Sequence, residues 1–319
     1  MTAKNLFFFV CAFLLLSGCE QGREQGAQEV EIGYSALRIS LPIFVAVENG
    51  FFEEEGLKVK LVRFDTAQPM MQALVAGTVK MAGYTALPIT CNSMLRSNKE
   101  LYFVTSLLED SKRPISYFLV PINAPQGIGI ADFTGKKIGI LPTVAYEKWL
   151  GQILLKNGVD PKTVHIVPVV PNMQPSALQS GQVDALFTND PAATAALQKG
   201  FARKISDEAP VPKFLGDPML FGSFNVDKAW ADQNQDALKK LVRALDRAIA
   251  FISTHPGRAK HSMKAYVDEI QRDYVVHYPD AYYLGSHQTD GADFQKMVDQ
   301  FVSMGIMPKA LRVSHLVVK

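Results

Sequence analysis

From Val30 to about Asn98 the chain alternates between short strand-like runs and amphipathic helix-like runs. In order, the runs are VEIGY, LPIFVAVENGFF, LKVKLVRF, MMQALVAG, VKMAGY and ALPITCNSML. Glycine follows the first two helical runs, at Gly50 and Gly56 and then at Gly77, where a helix commonly ends. Strand and helix in regular alternation are typical of βα units around a mainly parallel sheet, so the sequence predicts an α/β fold.

A second series of βα units follows a passage rich in Pro and Gly. The strands LYFVTSLL and SYFLVP follow each other without a helix between them. The segment PINAPQGIGIADFTGKK then marks a domain edge. Beyond it the strands KIGIL, TVHIVPV and VDALFT alternate with helices predicted at about 144–157, 174–180 and 191–199. This series predicts a smaller α/β lobe.

The last third of the chain is predicted to return to the first lobe. PMLFGSFNV reads as a strand, and apolar residues then recur at helical spacing at Leu238, Leu241, Val242, Leu245, Ile249 and Ile252. The segments AKHSMKAYVDEI and ADFQKMVDQFVSMG are predicted to be amphipathic helices without a sheet of their own. We therefore expect lobe one to comprise residues 30–120 and 222–319, and lobe two residues 121–221.

Two crossings of the chain between the lobes predict a hinge with a cleft beside it. Strand carboxyl ends, with helix amino termini behind them, face such a cleft. The first strand ends at Gly33-Tyr34-Ser35, which lacks the glycine pattern of a phosphate loop. A cleft of this kind predicts a small-molecule ligand.

The amino-terminal residues have the pattern of an export signal. Residues 1–18 hold one Lys and an apolar run from Leu6 to Leu16, which is too short for a stable membrane-spanning helix. The ending LSGC, at Cys19, resembles the lipobox of bacterial lipoproteins, in which the cysteine takes the lipid. Residues 19–29 are polar and predict a flexible spacer. An ordinary secretory signal with an incidental cysteine is the alternative.

Composition argues against several classes of function. With a formal net charge of +2 and no block of like charge, the chain is not expected to bind nucleic acid. Cys91 is the one cysteine of three beyond the signal and its end, so we expect no internal disulfide, no cysteine-rich zinc site and a buried helical Cys91. The six histidines share no metal-ligand spacing. Without a Gly-x-Ser-x-Gly, Walker A, His-Glu-x-x-His or Cys-x-x-Cys motif, we expect no enzymatic activity, cofactor or metal.

Several segments together resemble the substrate-binding proteins of ABC importers. They are IGYSALRISLPIFVAVENGFFEEEGL, ALVAGTVKMAGYTALP, IADFTGKKIGI, LLKNGVDPKTVHIVPV and ALQSGQVDALFTNDP. The resemblance covers about residues 30–256 and is to the group that serves nitrate, taurine, other sulfonates and pyrimidine precursors of thiamine. It implies a two-lobe, type II periplasmic-binding-protein-like fold that closes on a small ligand and presents it to an ABC transporter permease. It also implies a monomer on the periplasmic or cell-surface side of a bacterial membrane, lipid-anchored here at Cys19.

Carried over position by position, the resemblance implies a ligand site in the loops that follow the strands. With Arg38, the one cation in the first of these loops, the predicted ligand-binding residues are Tyr34, Ser35, Ala36, Arg38, Pro42, Tyr84, Thr85, Ala86, Thr143, Asn189 and Asp190. Relatives often carry Glu-Pro where this chain has Asp190-Pro191, and Gly-Ser where it has Pro142-Thr143. Both departures bear on the ligand more than on the fold.

Several of these residues also have a structural interpretation. Thr143 could cap the following helix or share its free amides with a ligand anion. Asp190 could start a helix or accept a ligand N–H. Arg38 could offer a planar guanidinium to a sulfonate or carboxylate, or be a solvated arginine at a helix start. Tyr34 and Tyr84 could sandwich a flat ring or cover the core.

Two ligand classes and two other functions stay open. Arg38 and the helix ends favour a small organic anion, which is our primary expectation. Tyr34, Tyr84 and Asp190 favour an aromatic heterocycle with N–H donors, such as a pyrimidine-type thiamine precursor. A sensory module would pass the ligand-bound shape to a receptor instead of a permease. The pyrimidine synthases of thiamine biosynthesis share the broader fold, but they carry a Cys-rich motif and a sacrificial His, from which this chain departs.

Overall fold

A computed structural model describes residues 28–318, which form two β-sheets with helices packed against them. The predicted signal, Cys19 and the spacer up to residue 27 lie outside the described residues. The predicted spacer end at 29 is wrong by two residues, because Gln28 and Glu29 already pair with the second strand. A side-chain ion pair of 2.9 Å between Glu29 and Lys58 accompanies that pairing.

Eleven strands make up the two sheets of the described chain. They are β1 (Gln28–Tyr34), β2 (Leu57–Arg63), β3 (Met81–Ala86), β4 (Leu101–Glu109), β5 (Tyr117–Pro121), β6 (Lys137–Ile140), β7 (His165–Pro168), β8 (Ala185–Thr188), β9 (Ala202–Lys204), β10 (Met219–Asp227) and β11 (Tyr282–Leu284). The six-stranded sheet has the order β11-β4-β10-β3-β1-β2 and the five-stranded sheet the order β7-β6-β8-β5-β9. Strands β1 and β3 are parallel, as are β6 and β8. The predicted α/β class is confirmed.

Within residues 28–318, twelve α-helices connect or cover the strands. They are α1 (Leu41–Glu48), α2 (Phe51–Glu54), α3 (Ala67–Ala76), α4 (Leu87–Ser97), α5 (Val144–Lys156), α6 (Gln174–Gln179), α7 (Ala192–Gln198), α8 (Pro210–Leu215), α9 (Lys228–Gln233), α10 (Gln235–Thr254), α11 (Pro256–His261) and α12 (Gly291–Ser303). Gly77 ends α3 in the left-handed conformation, at φ 77°, as its position predicts. The predicted apolar face of α10 is buried against α1 except at Val242, which is half-buried.

Sheet membership differs from the predicted lobe boundaries at both crossings. Strand β5, predicted to close lobe one at residue 120, pairs with β8 and β9 in the five-stranded sheet. Strand β10 begins at Met219, three residues before the predicted return at 222, and pairs with β3 and β4 in the six-stranded sheet. The chain therefore crosses from one sheet to the other at residues 110–116, between β4 and β5. It returns at residues 216–218, just before β10.

The carboxyl-terminal part of the described chain is less helical than its pattern predicts. Helix α11 ends at His261, inside the segment AKHSMKAYVDEI, and turns follow as far as a single 3-10 turn at Glu269–Gln271. The region also adds strand β11 to the six-stranded sheet, against the expectation of no strand there. Within residues 28–318, no helix is long and apolar enough to cross a membrane.

Candidate ligand-binding cleft

A chamber lies where strand carboxyl ends from the two sheets meet. Strands β1 and β3 end at it on one side, and β6 and β8 on the other. This inner chamber, a space of about 450 Å³ that includes open solvent, is lined by Ser35, Leu37, Ile39, Asp65, Thr66, Ala67, Tyr84, Thr85, Ala86, Ile89, Leu141, Pro142, Thr143, Tyr146, Pro171, Asn189 and Phe221. Small-molecule sites form at this edge of open α/β sheets.

Three helices begin at the inner chamber. Thr66, Ala86 and Thr143 precede α3, α4 and α5 and line its wall. The first amides of a helix have no partner within the helix, and the helix dipole makes this end electropositive. Among the lining residues there is no Lys or Arg, and the one carboxylate is that of Asp65. Any attraction for a negative group therefore comes from backbone amides and hydroxyl groups.

Two buried polar atoms in the chamber wall lack a protein partner. Neither Tyr146 Oη nor Asn189 Oδ1 has a partner at good hydrogen-bond geometry within the described residues, although the two side chains are close enough for Asn189 to lower the pKa of Tyr146, against the larger effect of burial. Burial raises the pKa of Tyr146, so its hydroxyl stays protonated and can donate. Leaving a buried polar group unpaired costs about 1–3 kcal/mol, which a bound molecule could offset.

The hydroxyl groups of Tyr84 and Thr85 are already paired within the protein. Tyr84 Oη lies 2.7 Å from Thr105 Oγ1, and Thr85 Oγ1 accepts a hydrogen bond of 2.9 Å from Asn225 Nδ2. Thr143 Oγ1 accepts a hydrogen bond of 3.2 Å from the amide of Tyr146 and so caps α5. The capping interpretation of Thr143 is confirmed, while its contact with a ligand stays a prediction.

Arg38 and Asp190 do not line the inner chamber, because they are paired with each other and with the protein. The guanidinium donates 2.5 Å hydrogen bonds to the carbonyl oxygens of Pro279 and Pro114, and Arg38 Nε lies 3.4 Å from Asp190 Oδ2. Both residues are 2 % exposed. The interpretation of Arg38 as a solvated arginine is wrong. The guanidinium nitrogens that could have bound a ligand anion contact protein oxygens instead.

The carboxylate of Asp190 has further partners in the five-stranded unit. Asp190 Oδ1 accepts hydrogen bonds from the amide of Thr194, at 3.1 Å, and from Thr194 Oγ1, at 2.6 Å. The Tyr117 hydroxyl donates to Asp190 Oδ2 at 3.2 Å. Asp190 therefore accepts from an amide in the first turn of α7, but this helix begins at Ala192 and not, as predicted, at Pro191. The contact with Arg38 joins the segments that follow β1 and β8.

Tyr34, Pro42 and Ala36 also lie outside the inner chamber. The Tyr34 ring meets Phe44 edge-on, with centroids 5.3 Å apart, and is only 8 % exposed, so it covers the core. Pro42 is buried in the first turn of α1. Ala36 lines an adjoining outer chamber. The structure thus brings six predicted residues together, namely Ser35, Tyr84, Thr85, Ala86, Thr143 and Asn189.

Comparison with known proteins places the chain in a family. The family model described as "NMT1/THI5 like" matches residues 39–259, more than two thirds of the chain. The chain belongs to the NMT1/THI5 like family. The relatives of this chain confirm the resemblance of its sequence to the substrate-binding proteins of ABC importers.

Relatives of this NMT1/THI5 like chain include two curated bacterial proteins. A putative thiamine biosynthesis protein of Haemophilus influenzae is 25 % identical over 288 residues, covering 87 % of each chain. The taurine-binding periplasmic protein of Escherichia coli is 25 % identical over 230 residues, covering 71 % of this chain and 68 % of that protein. The alkanesulfonate-binding protein SsuA of Xanthomonas axonopodis, solved with MOPS bound, has a TM-score of 0.70 at 19 % identity and covers 91 % of this chain and 98 % of that one. This likeness confirms the predicted periplasmic-binding-protein-like fold.

Two aromatic residues of the inner chamber, Tyr146 and Phe221, are not among the site residues that the sequence of this NMT1/THI5 like chain predicts. Tyr146 lies on the first turn of α5, three residues after Thr143, so the predicted helix start could have indicated it. Phe221 lies on β10 and packs against Trp149, with ring centroids 5.5 Å apart. No local signal distinguishes Phe221 from a core residue, because its position depends on how the returning strand crosses the cleft.

Proposed function

We propose that this chain is the extracytoplasmic solute-binding component of an ABC importer, and that it takes one small organic solute into the inner chamber. The observation that carries the proposal is the pair of buried, unpartnered atoms in the chamber wall, Tyr146 Oη and Asn189 Oδ1. A solute that accepts from Tyr146 and donates to Asn189 would satisfy both. Membership of the NMT1/THI5 like family and the likeness in fold to a sulfonate-binding protein support this role.

The solute we favour is a small organic anion such as a sulfonate, taurine or a nitrate-like ion. Its oxygens would accept hydrogen bonds from the first amides of α3, α4 and α5, which begin at the chamber wall. Because no cationic side chain lines the inner chamber, binding would depend on these amides and on the hydroxyls of Ser35 and Tyr146. The anion is thus bound by oriented dipoles rather than by Arg38.

A flat heterocycle with N–H donors is the second candidate ligand. Two aromatic residues, Tyr146 and Phe221, line the chamber wall and could cover the faces of a ring, whereas the Tyr84 ring packs against Phe224, with centroids 4.1 Å apart. Asn189 Oδ1 is an acceptor without a donor, which suits a ring amine or amide. These observations favour a pyrimidine-type solute.

The remaining parts of the role follow from the sequence. The export signal and Cys19 support a lipid-anchored protein on the outer side of a bacterial membrane, which acts as a monomer and delivers its solute to a permease. A receptor in place of the permease is the alternative partner. We propose no catalytic step, and burial raises the pKa of the Cys91 thiol to about 12, so that this thiol is not a nucleophile.

Thermal unfolding with paired probes tests this proposal. Residues 20–319 are unfolded and refolded to strip any bound solute, and are then heated with propane-1-sulfonate, its uncharged analogue propane-1-sulfonamide, nitrate, taurine and 4-amino-2-methylpyrimidine. A probe at one hundred times its dissociation constant adds about 2.7 kcal/mol, which is a shift of several degrees. A shift with the sulfonate but not the sulfonamide supports the anion, and a shift with the pyrimidine alone supports the heterocycle.

The same measurement on variants locates the site. Asn189→Ala should reduce the shift, whereas Asn49→Ala should not, because Asn49 donates to a helix carbonyl, that of Val45, away from the chamber. Equal shifts in wild type and Asn189→Ala would place binding elsewhere. No shift with any probe would overturn both ligand classes.

A further inference from the structure

A carboxyl group joins the two sides of the first crossing between the sheets. Glu109 ends β4, and its Oε1 accepts hydrogen bonds from the amides of Ile115 and Ser116, at 2.8 and 2.6 Å, and from Ser116 Oγ at 2.7 Å. Ser116 directly precedes β5, and its Oγ accepts in turn from the amide of Val211 in α8, at 3.2 Å. A rotation of one sheet against the other at this crossing therefore displaces the donors that surround the Glu109 carboxyl group.

The second oxygen of this carboxyl group, Glu109 Oε2, is buried without a hydrogen-bond partner in the described part of the chain. The positive charge that acts on the group is that of Arg38, whose guanidinium donates to the carbonyl oxygens of Pro279 and Pro114 and lies beside Asp190. An ionised carboxylate needs donors at both oxygens, whereas a protonated group carries a hydrogen atom of its own. With Arg38 and Asp190 in contact, the structure therefore favours the protonated form, and burial raises the pKa of Glu109 to about 7.

The groups that surround Glu109 on other elements keep their charge state near neutral pH. Tyr117 on β5 stays protonated, because burial raises its pKa. Met219, the partner of Glu109 on β10, has no ionisable group. Within the crossing, Asp110 and Arg113 form an ion pair of 2.5 Å with each other, and both stay charged. A change of charge at this crossing near neutral pH therefore comes from Glu109.

The charge of Glu109 reaches the wall of the inner chamber. Tyr146 lines the chamber, and the negative charge of ionised Glu109 adds to burial in raising the pKa of the Tyr146 hydroxyl. Charges interact more strongly through a dry protein interior than through water. Ionised Glu109 therefore disfavours an anion in the chamber, and protonation of Glu109 removes this effect.

We propose that Glu109 takes up a proton when the two sheets close over a solute and releases it when they separate, so that solute affinity depends on pH. This inference rests on the proposed function, because closure over a solute belongs to that role. Separation rotates the crossing, moves Ser116 relative to Glu109 and admits water to Glu109 Oε2. A hydrated carboxyl group returns toward its ordinary pKa of 4.5.

The sign of the pH dependence follows from the two arrangements of Glu109. Below about pH 4.5 the carboxyl group is protonated in both arrangements, and well above about pH 7 it is ionised in both, so proton uptake is largest between these values. Solute affinity is therefore highest at the acidic end and falls as pH rises through about 7. For an anionic solute, repulsion from ionised Glu109 acts in the same direction.

Calorimetric titration with propane-1-sulfonate tests the inference, because this anion keeps its charge throughout the pH range used. At about pH 6, titrations in two buffers of different ionisation enthalpy should show that the wild type takes up close to one proton per solute bound. Between about pH 5.5 and about pH 8 the dissociation constant should rise by at least about fivefold, and a pKa change from 4.5 to about 7 sets an upper limit of about thirtyfold. Glu109→Gln cannot titrate, so it should take up no proton and keep a constant affinity.

The same comparison serves for the other probes. Nitrate also keeps its charge over this range. The protonation of 4-amino-2-methylpyrimidine itself is common to both proteins, so it cancels when the wild type is compared with Glu109→Gln. The difference between the two proteins is then the quantity that reports on Glu109.

Ser116→Ala keeps the test decisive if Glu109→Gln does not fold. It removes a donor that lowers the pKa of Glu109, so affinity should begin to fall at a higher pH than in the wild type. The matched control is Glu100→Gln, at the opposite end of β4, where exposed Glu100 lies 3.1 Å from His315 Nε2. This variant should keep the wild-type profile.

The outcomes separate this inference from the proposed function. A probe that binds the wild type with pH-independent affinity and no proton uptake overturns the inference and leaves the proposed function standing. A pH dependence that survives in Glu109→Gln, or that is unmoved in Ser116→Ala, overturns it in the same way. If no probe binds at any pH, the proposed ligand classes fail and this inference fails with them.

Discussion

Arg38 carries a buried charge whose nearest carboxylate is that of Asp190. Exposed ion pairs contribute little to stability, but removing one partner of a buried pair leaves an uncompensated charge. Asp190 belongs to the loop after β8 and Arg38 to the loop after β1, so their contact joins the two sheets. The pair therefore bears on the stability of the whole fold.

We expect Asp190→Asn to lower the free energy of unfolding by about 3–5 kcal/mol, because the Arg38 guanidinium would stay buried without its counterion. Adding Arg38→Met should restore much of the loss. Urea unfolding of the single and double variants measures both effects. The matched control is Asp268→Asn, which breaks the 2.7 Å pair with partly exposed Arg63 and should cost at most about 1 kcal/mol. Similar losses for Asp190→Asn and Asp268→Asn would show that burial of the first pair does not matter.

The sequence predicted those site residues that local signals mark. Ser35, Thr143 and Asn189 follow strands, and each lines the inner chamber. The burial of Arg38 could not be predicted in this way. The carbonyl groups it contacts belong to residues 76 and 241 positions away, and no local pattern encodes such contacts.

The segment that crosses from β4 to β5 begins at a buried acidic residue. Glu109 ends β4 and is fully buried. Its Oε1 accepts hydrogen bonds from the amides of Ile115 and Ser116, at 2.8 and 2.6 Å, and from Ser116 Oγ at 2.7 Å. Burial raises the pKa of Glu109 to about 7, against the opposing effects of these hydrogen bonds and of Arg38. The crossing is thus held by a carboxyl group that titrates near neutral pH.

This pKa predicts a pH dependence of stability. A carboxyl group whose pKa is raised on folding binds its proton more tightly in the folded state. Its stabilising contribution is therefore complete below the unfolded value of 4.5 and is lost as pH rises through about 7. Glu109→Gln keeps an acceptor oxygen but cannot titrate. Between pH 5 and pH 7.5 the wild type should lose on the order of 3 kcal/mol relative to this variant in urea unfolding. Parallel curves for the two proteins would contradict the assignment.

Strand β10 approaches β3 too closely for a side chain at Gly222. A Cβ atom at this position would lie 1.8 Å from the carbonyl oxygen of Thr85, in the wall of the inner chamber. We expect Gly222→Ala to push β3 away, lower the free energy of unfolding by more than about 2 kcal/mol and weaken solute binding.

Gly151→Ala is the matched control for Gly222→Ala. No heavy atom lies within 4 Å of a Cβ at Gly151, which sits inside α5, so alanine there should be neutral or stabilise by up to about 1 kcal/mol. Thermal unfolding of both variants makes the comparison. A neutral Gly222→Ala would mean that the two strands can separate at little cost.

The elements with strong periodicity were predictable, and those that depend on a partner were not. The apolar face of α10 and the glycine end of α3 are encoded locally. Strand β11 has three residues, Tyr282–Leu284, and exists because β4 offers an edge beside it. A run this short carries no periodic signal, which is why the prediction of a wholly helical carboxyl-terminal part failed.

Over the whole molecule, the two-sheet architecture could be read from the sequence because βα units repeat twice around a Pro- and Gly-rich passage. The points of crossing were misplaced by a few residues. SYFLVP has the composition of a buried strand in either sheet, and its pairing with β8 and β9 is decided by tertiary contacts. The sequence pattern predicts the number of βα units. The strands with which a crossing strand pairs depend on tertiary contacts in the folded protein.

The same architecture predicts how the molecule responds to its solute. The walls of the inner chamber come from both sheets, and separating them to admit a solute would break the contact of Arg38 with Asp190. Binding energy would then shift an equilibrium between open and closed arrangements toward the closed one. We expect X-ray scattering to give a smaller radius of gyration for residues 20–319 when saturated with a probe that raises the unfolding temperature than for the stripped protein. The variant Asp190→Asn should be more expanded than wild type without the probe, and Asp268→Asn should match wild type. An unchanged radius with saturating probe would show that solute enters without hinge motion, through an opening that leaves the buried pair intact.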